Sequence, residues 1–264
     1  MKIGWVGLGA IGTQMVKRAL SAGHQVSVYA RGGGLAEVSA AGAANSRDYK
    51  ELAAHCDIFA LCVYNDAQVR DVLFDHGALA AIRHGSILVI HTTGSPGLVR
   101  ELGRQAPRDV AVLDATFSGG PAQVAACALT LMVGGEAQVI ERARPLLQTY
   151  AKRIHHIGAL GSGQMVKLLN NLLFAANLQH AAEILRIAGQ QGFDTAICAR
   201  VLQDCSGASF AGSLFQNPAP VDAVLDRARP YLVKDVETAL CSAAEAGIDI
   251  SAFASTAAYF RSGA

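Results

Sequence analysis

The chain has 264 residues, of which 52% are hydrophobic and 16% are charged, and its formal net charge is +1. This composition is typical of a globular protein with a sizeable core and excludes a disordered chain. The small net charge and the lack of a long basic run argue against nucleic acid or an acidic membrane surface as a partner.

Six cysteines are present, and none forms a C-x-x-C pair or stands at a zinc-ligand spacing from a histidine. We interpret them as small buried side chains in a reducing compartment, with a disulfide or a metal site as the alternative. We therefore predict that the protein binds no metal.

Targeting and membrane signals are also missing from the sequence. The chain enters an apolar run at Ile3 without the charged and apolar regions of a signal peptide. The longest apolar stretch, 168–189, contains asparagine, glutamine, histidine, glutamate and arginine, which a bilayer span would not tolerate. We expect a cytoplasmic protein that does not bind membranes.

The first part of the chain alternates short apolar runs with helical stretches. Such alternation predicts an α/β fold, a doubly wound parallel sheet of the Rossmann type. The predicted strands are Ile3–Val6, Val26–Ala30, Ile58–Val63, Ile87–Ile90, Val110–Leu113, Leu129–Val133 and Arg153–Ile157. The predicted helices are Gln14–Ala22, Ala67–Ala80, Pro96–Gln105 and Ala137–Tyr150.

The pattern becomes entirely helical after a glycine-rich stretch at 158–163. One long helix is predicted from Ser162 to Gly192, then segments at Thr195–Leu202 and Pro230–Ala246, with Pro230 in a first turn. We predict a dinucleotide-binding domain over residues 1–160 and an all-α domain over residues 161–264. Because long apolar helices in a short segment need a partner surface, we also predict a homodimer or a dimer-based oligomer.

A glycine-rich loop directly follows the first predicted strand and opens the first helix. It reads Gly7-Leu8-Gly9-Ala10-Ile11-Gly12, a G-x-G-x-x-G pattern. In this context Gly7 allows a tight turn, Gly9 lets the backbone approach a pyrophosphate, and Gly12 lets the helix pack near the strand. The loop predicts dinucleotide binding at the helix N-terminus, and the alternative is a plain strand–helix turn.

The end of the second strand bears on the choice between the two nicotinamide cofactors. An acidic residue there would bind the ribose 2′-hydroxyl of NAD, but this chain has Ala30 followed by Arg31. A guanidinium beside an uncharged position suits a 2′-phosphate. We therefore favour NADP, with NAD possible if Arg31 is an ordinary surface charge.

Three further sequence blocks follow the glycine loop. They are Asp114-Ala115-Thr116-Phe117-Ser118-Gly119-Gly120, then Gly161-Ser162-Gly163-Gln164-Met165-Val166-Lys167-Leu168-Leu169-Asn170-Asn171, and then Lys234-Asp235. With the glycine loop, these blocks make the chain resemble the β-hydroxyacid dehydrogenase family, which includes 3-hydroxyisobutyrate dehydrogenase and tartronate semialdehyde reductase. The four blocks stand in the family's order and span nearly the whole chain.

The resemblance implies roles for particular residues. Lys167 would be the catalytic lysine, Asn171 would bind substrate beside it, and Lys234 would close over the cofactor and substrate. The substrate carboxylate would be bound by Ser118, Gly119 and Gly120. Near the nicotinamide, Thr92-Thr93 resembles the family's S-T pair, so Thr93 is a cofactor contact. Val63 stands in a loosely matched segment, Val63-Tyr64-Asn65, where Tyr64 replaces the family's proline.

The spacing of the third block fits this chemistry. Gly163, Lys167 and Asn171 recur every four residues and so share one face of the long helix. A lysine and an asparagine one turn apart can bind one substrate oxygen, and we expect Gly163 to leave space for the substrate. Lys167 would then exchange a proton with the substrate hydroxyl as general acid or base. The alternative is a solvated lysine on a helix face.

Several residues depart from the family's pattern or have two interpretations. Thr116 and Phe117 replace the family's Pro-Val, and Phe210 and Phe215 lie in the helical part. The three phenylalanines either line an apolar substrate pocket or belong to the core, which is usual for this residue. We assign no function to three histidines near strand ends, His91, His155 and His156.

The resulting hypothesis is an NAD(P)-dependent oxidoreductase that transfers hydride between the nicotinamide and a small carboxylate-bearing β-hydroxy acid or its semialdehyde. One alternative is a non-catalytic dinucleotide-binding protein, which has no need of the lysine, the asparagine and the Ser-Gly-Gly together. Another is an imine reductase-like enzyme, which the lysine disfavours because those relatives generally carry a different residue there. The chain is too short for the large helical domain of the decarboxylating 6-phosphogluconate enzyme.

Overall fold

The computed structural model describes residues 1–30, 33–217 and 219–262. The chain divides into two compact units, Met1–Lys167 and Leu168–Ala264. One helix, Ser162–Gln190, begins in the first unit and continues into the second. Among the described residues, no helix has the length and apolar character needed to cross a membrane.

The first unit is built on a single sheet of eight strands, which lie in the order β3-β2-β1-β4-β5-β6-β7-β8. The strands are β1 (Lys2–Val6), β2 (Gln25–Tyr29), β3 (Ala44–Asn45), β4 (Ile58–Leu61), β5 (Ile87–Ile90), β6 (Ala111–Ser118), β7 (Leu129–Gly134) and β8 (Ala151–Gly158). The order of β1 to β6 is that of a dinucleotide-binding sheet, and it changes direction between β1 and β4.

Helices flank these strands. They are α1 (Ala10–Ser21), α2 (Leu35–Ala40), α3 (Tyr49–Ala54), α4 (Asp66–Arg70), α5 (Ala78–Ala81), α6 (Pro96–Gln105), α7 (Pro121–Ala125), α8 (Ala137–Leu147) and α9 (Ser162–Gln190). Alternate residues of the central strands belong to two separate apolar clusters, so these strands are buried on both faces: Trp5 and Ile58 lie in one cluster, Val6 and Phe59 in the other. The structure thus confirms the predicted Rossmann-type α/β architecture.

The sheet departs from the predicted all-parallel arrangement at one place. Strand β7 is antiparallel to β6, whereas the other strand pairs are parallel. Only residues 119–128 connect these two strands. A parallel crossover needs about a dozen residues or more, so this short connection allows only an antiparallel return.

Other details also differ from the predictions. Strand β3 is two residues long, too short to give a sequence signal. The stretch predicted as one helix over Ala67–Ala80 is broken into α4, a π-helical turn at Asp71–Asp75 and α5. Gly77, which has a φ of +65°, lies between the π-helical turn and α5 and changes the direction of the chain there.

In the second unit, every regular element within the described residues is helical, as predicted. After α9 these elements are α10 (Thr195–Gln203), α11 (Phe210–Ser213), α12 (Val221–Glu245), a short 3-10 turn (Ser251–Phe253) and α13 (Ala254–Ser262). Their core contains Leu172, Leu185, Phe215, Leu232 and Phe260, each at most 4% exposed.

The first-turn position predicted for Pro230 is wrong. Helix α12 begins at Val221, so Pro230 lies inside it. A proline in a helix interior removes one hydrogen bond and costs about 3 kcal/mol. Buried residues on both sides of it, Leu225 and Leu232, pack into the same core, and this shared burial keeps the helix continuous.

Candidate active site

The carboxyl ends of four neighbouring strands bring the predicted site segments of the first unit together. Strands β1, β4, β5 and β6 are parallel, and Val6, Leu61, Ile90 and Asp114 stand in register across them. The glycine loop, Val63, Thr93 and the Ser118–Gly120 segment follow these residues along the chain. They therefore lie at the same edge of the sheet, the usual ligand-binding edge of an open α/β fold.

The three glycines of the first loop have different local roles. A Cβ on Gly7, which has a φ of +98°, would lie 2.1 Å from the carbonyl oxygen of Cys62, and one on Gly12 would lie 2.0 Å from that of Gly7. A Cβ on Gly9 would meet no atom within 4 Å. Gly7 and Gly12 are thus required by packing, whereas Gly9 leaves the outer side of the loop open.

The rest of the loop forms the start of α1. Gly9 is the N-cap, and Ala10 and Ile11 occupy the first turn, which contains no acidic residue. Leu8 is buried beneath the loop. An uncovered loop at a helix N-terminus fits the pyrophosphate of a dinucleotide, because the first backbone N–H groups of a helix lack intrahelical acceptors.

The position that bears on NADP is only partly described. Ala30 directly follows β2 and is half-buried. Arg31 lies outside the described residues, so its predicted contact with a 2′-phosphate remains a prediction.

A buried glutamine, Gln164 in the first turn of α9, fastens that helix to the loop after β5. Its side chain accepts a hydrogen bond from the Gly94 N–H (2.9 Å) and donates one to the Thr92 carbonyl (2.7 Å). The Thr92 hydroxyl in turn accepts from the Val63 N–H at 3.0 Å. These bonds fix the loops after β4 and β5, and with them Val63 and the half-buried Thr93.

A buried carboxylate, Asp114, binds the beginning of the same helix. It accepts hydrogen bonds from the backbone N–H groups of Gly161 (2.8 Å) and Gln164 (2.7 Å). Burial raises the pKa of this carboxyl above its usual range, although the N–H donors act in the opposite direction. Asp114 thereby caps α9 and holds its first turn against β6, at the level where β5 ends.

Thr116, where the family has proline, provides the third attachment. Its hydroxyl is fully buried and lies 3.0 Å from the Gly163 carbonyl and 3.3 Å from the Met132 carbonyl. A proline has no such donor. The expected role of Gly163 as space for substrate is not what the structure indicates: a Cβ there would lie 2.4 Å from the Met132 carbonyl oxygen, so this glycine is needed for helix–strand packing.

Lys167 lies in the second turn of α9, directly after these three attachments, and its side chain is half-buried. It is the last residue of the first unit. The helix segment that carries Lys167 is therefore fixed to the same sheet unit, and at the same strand ends, as the glycine loop.

The predicted carboxylate-binding segment ends β6. Ser118 is the last strand residue and is exposed, and Gly119 has a φ of +129°. The Gly120 N–H donates to the side-chain oxygen of Gln123 at 2.9 Å. Sequence reasoning overlooked Gln123, although an N-cap followed three residues later by glutamine is a known helix-start signal.

The helical unit contains the other two predicted residues, Asn171 and Lys234. Asn171 is buried, and its amide nitrogen donates to Asp235 Oδ2 at 2.5 Å. Lys234 Nζ lies 2.6 Å from Asp235 Oδ1. One buried carboxylate thus contacts both residues, and the sequence had identified it only as part of a motif.

The phenylalanines follow the core interpretation in two of three cases. Phe215 is 4% exposed within the helical core, and Phe117 packs against a core cluster of the sheet. Phe210 is 71% exposed and lies beside Phe174, with 6.0 Å between ring centroids.

His91 occupies a buried column with two other aromatic residues. Its Nδ1 donates to the Ala115 carbonyl (2.6 Å), its Nε2 accepts from the Tyr150 hydroxyl (3.0 Å), and its ring stacks on Trp5 at 5.5 Å. Burial lowers the pKa of His91 to about 4, so the ring is neutral at physiological pH. These contacts are structural, and no site function is assigned to this histidine.

The glycine loop at the change in strand order and the lysine helix at the same edge define the class: a dinucleotide-binding oxidoreductase. Residues 2–158 match a family model described as the NAD binding domain of 6-phosphogluconate dehydrogenase. Residues 161–264 match a model described as NAD-binding of NADP-dependent 3-hydroxyisobutyrate dehydrogenase.

Individual relatives agree with these matches. An NAD-dependent L-serine dehydrogenase of Pseudomonas aeruginosa is 32% identical over 222 residues, covering 83% of this chain and 74% of the relative. A 2-hydroxy-3-oxopropionate reductase of Escherichia coli is 34% identical over 196 residues, covering 74% and 67%. The solved 3-hydroxyisobutyrate dehydrogenase of Mycobacterium tuberculosis with L-serine has a TM-score of 0.87 at 28% identity, covering 99% and 92%.

The chain belongs to the β-hydroxyacid dehydrogenase family. It is an NAD(P)-dependent enzyme that acts on CH–OH groups.

Proposed function

We propose that this enzyme transfers hydride between a nicotinamide and a small β-hydroxy acid or its semialdehyde, with Lys167 as general acid and base. The proposal rests on the hydrogen bonds that attach the helix of Lys167 to the sheet unit. Asp114, Thr116 and Gln164 attach its first turn to the strand ends that also carry the glycine loop. The Lys167 amine therefore belongs to the same sheet unit that would bind the dinucleotide.

In this proposal the cofactor is held by the glycine loop together with the loops after β4 and β5. The backbone of 7–12 binds the pyrophosphate, Gly9 gives it access, and Val63 and Thr93 lie beside the nicotinamide. When bound, the nicotinamide supplies the hydride acceptor or donor. Lys234 of the helical unit is assigned to the cofactor side through the family's motif.

The substrate would be oriented by its carboxylate. Ser118 and the N–H groups of Gly119 and Gly120 are assigned to this group, and Asn171 to a substrate oxygen next to Lys167. Because Gln123 accepts from the Gly120 N–H, a carboxylate must displace that side chain to use the donor. Lys167 takes the proton of the substrate hydroxyl during oxidation and returns a proton to the carbonyl oxygen during reduction.

The substrate class follows from the relatives and the proposed site. The Mycobacterium tuberculosis structure was solved with L-serine, and the Escherichia coli relative is named for 2-hydroxy-3-oxopropionate. Both molecules are three-carbon carboxylates with an oxygen on the third carbon. We therefore propose a substrate of this size and type for the present enzyme.

The preferred cofactor is proposed to be NADP, with NAD as the alternative. Ala30 supplies no carboxylate for a 2′-hydroxyl, and Arg31 follows it in the sequence. A kinetic comparison of NADP and NAD tests this choice. A higher kcat/KM with NAD would overturn the role given to Arg31.

A homodimer or dimer-based oligomer is also proposed, formed through the helical unit. Large apolar side chains on its helices are at least half exposed, among them Leu169, Leu173, Ile187, Ile197 and Val201. Monomeric proteins rarely leave many such side chains uncovered. Light scattering after size-exclusion chromatography is expected to give twice the chain mass or a multiple of it, and a monomer at micromolar concentration would contradict the proposal.

The central test is a nicotinamide absorbance screen of small β-hydroxy acids, L-serine and semialdehydes, run with both cofactors on wild type and Lys167→Ala. We expect turnover by the wild type and a loss of about a thousandfold or more in Lys167→Ala, with cofactor binding retained. Lys152→Ala, which removes an exposed lysine of the same unit, is the matched control and should keep full activity.

Other outcomes separate the alternatives. Retained turnover in Lys167→Ala would remove that residue from the mechanism. Turnover of imines alone would indicate the imine reductase-like alternative, and cofactor binding without turnover of any substrate would indicate the non-catalytic one.

A further inference from the structure

A single buried carboxylate, Asp235 of α12, contacts the two residues of the helical unit that the proposed function uses. Asp235 is 5% exposed. Its Oδ2 accepts from the Asn171 amide at 2.5 Å, and its Oδ1 lies 2.6 Å from Lys234 Nζ. The inference below rests on the proposed function, because Asn171 and Lys234 take their substrate and cofactor roles from it.

The first consequence concerns the orientation of the Asn171 amide. An ionised carboxylate accepts hydrogen bonds and donates none, so Asn171 must turn its NH₂ group toward Asp235. The Asn171 carbonyl oxygen accepts from Asn170 Nδ2 at 3.0 Å. Reversing the amide would place two acceptors in contact at 2.5 Å and two donors at 3.0 Å. Asp235 therefore fixes which end of the Asn171 amide carries the donor.

This orientation has a chemical meaning for the substrate. The second N–H of the Asn171 amide is the donor that remains beyond its bond to Asp235. A fixed donor suits a substrate atom that accepts a hydrogen bond, such as a carbonyl, hydroxyl or developing alkoxide oxygen. A freely rotating amide would offer its oxygen to the same atom part of the time.

The second consequence concerns charge. A buried carboxylate is costly unless it is paired and hydrogen-bonded, and the Lys234 ammonium supplies that pairing. The side chains of Lys234 and Asp235 are 19% and 7% exposed, so neither charge is strongly screened by solvent. The ion pair restrains the Lys234 side chain, which otherwise has many rotamers.

We propose that Asp235 is a positioning residue that acts through both neighbours, fixing the Asn171 amide as a donor toward the substrate and the Lys234 ammonium toward the cofactor. It contacts neither ligand itself in this proposal. Its removal should therefore impair turnover through Asn171 and cofactor affinity through Lys234, as two separable effects.

The first experiment compares two charge-neutralising variants of α12. Asp235→Asn keeps the shape of the side chain but can present either end of its amide to Asn171. We expect kcat/KM to fall by about tenfold or more and the cofactor dissociation constant to rise by about threefold or more. Asp226→Asn is the control, because Asp226 lies on the same helix with its side chain 73% exposed, and it should change neither value appreciably.

A double-mutant cycle separates positioning from general support of the fold. In an Asn171→Ala background, Asp235→Asn should lower kcat by less than about threefold, because its target is already missing. In a Lys234→Met background, it should no longer change the cofactor dissociation constant. Effects that simply add in both backgrounds would overturn the proposal. If Asp235→Asn does not fold, Asp235→Glu, which keeps the charge but moves the oxygens, takes its place in the same cycle.

Failure of the proposed function and failure of the role of Asp235 give different results. If the wild-type enzyme turns over no β-hydroxy acid or semialdehyde, the proposed function is wrong. If the wild type is active and the cycle is additive, only the role of Asp235 is wrong.

Discussion

The two units of this enzyme hold their proposed site residues by different kinds of contact. In the sheet unit, the hydrogen bonds of Asp114, Thr116 and Gln164 at the strand ends join a side chain to a backbone group. In the helical unit, the contacts around Asn171 and Asp235 join side chain to side chain.

The two kinds of contact have different consequences for stability and for activity. Side chain–backbone bonds fix the course of the main chain, so their loss should reduce stability first. Side chain–side chain bonds fix the orientation of single groups, so their loss should reduce activity first. Substitutions in the two units can therefore test whether stability and activity depend on different contacts.

Among the hydrogen-bonded residues compared above, Gln164→Met is expected to cause the largest loss of stability. The change leaves the Gly94 N–H and the Thr92 carbonyl without their partner in a buried position, and each such group costs about 1–3 kcal/mol. We expect urea denaturation to show a loss of about 2–4 kcal/mol. Gln190→Met, at the exposed end of the same helix, is the control. A larger loss of stability in Asp235→Asn than in Gln164→Met would contradict the expected difference between the two units.

A slightly smaller effect is expected from acidification through His91. The pKa of His91 is lowered from 6.5 to about 4 in the folded protein, so between these pH values the unfolded chain binds more protons. The contribution of His91 to the free energy of unfolding is fully present above pH 6.5. It decreases as the pH falls, by at most about 3 kcal/mol at pH 4. Unfolding curves at several pH values measure this slope.

The control for this slope is a variant without the imidazole. His91→Asn should be less stable at neutral pH but should lack that part of the acid dependence. Subtracting the two profiles of stability against pH cancels the contributions of the other titratable groups. One of these is Asp114, whose raised pKa makes stability increase as the pH falls. Equal slopes in the two proteins would show that His91 is not the source.

The smallest effect on stability is expected from Gly9→Ala. Gly9 has φ and ψ of −70° and −176°, which alanine adopts readily, and its Cβ would meet no atom. We expect a stability change within about 0.5 kcal/mol but a cofactor dissociation constant raised by about tenfold or more.

Gly12→Ala is the matched contrast, since its Cβ would lie 2.0 Å from the Gly7 carbonyl oxygen and should destabilise the fold by about 3 kcal/mol or more. Calorimetric titration with NADP and NAD measures binding in the stable variant. Wild-type affinity in Gly9→Ala would mean that the open side of the loop does not receive the pyrophosphate.

Features that depend on a local pattern of residues were predictable from the sequence. Continuous apolar runs predicted β1, β4 and β5 because strands buried on both faces need apolar residues at every position. The glycine loop was predictable because a tight turn into a helix requires glycine at fixed spacings. The placement of Lys167 and Asn171 in one helix was predictable because the residues around them have a continuous helical and apolar pattern.

The partners of the buried polar groups were not predictable, because they depend on tertiary contacts. Thr116 and Gly163 are 47 residues apart, and Asn171 and Asp235 are 64 apart, so no local pattern specifies which of them will meet. The same applies to the antiparallel return of β7, the packing role of Gly163 and the continuity of α12 through Pro230. Each depends on which distant surface is buried against the segment, and that choice is made by packing of the whole unit.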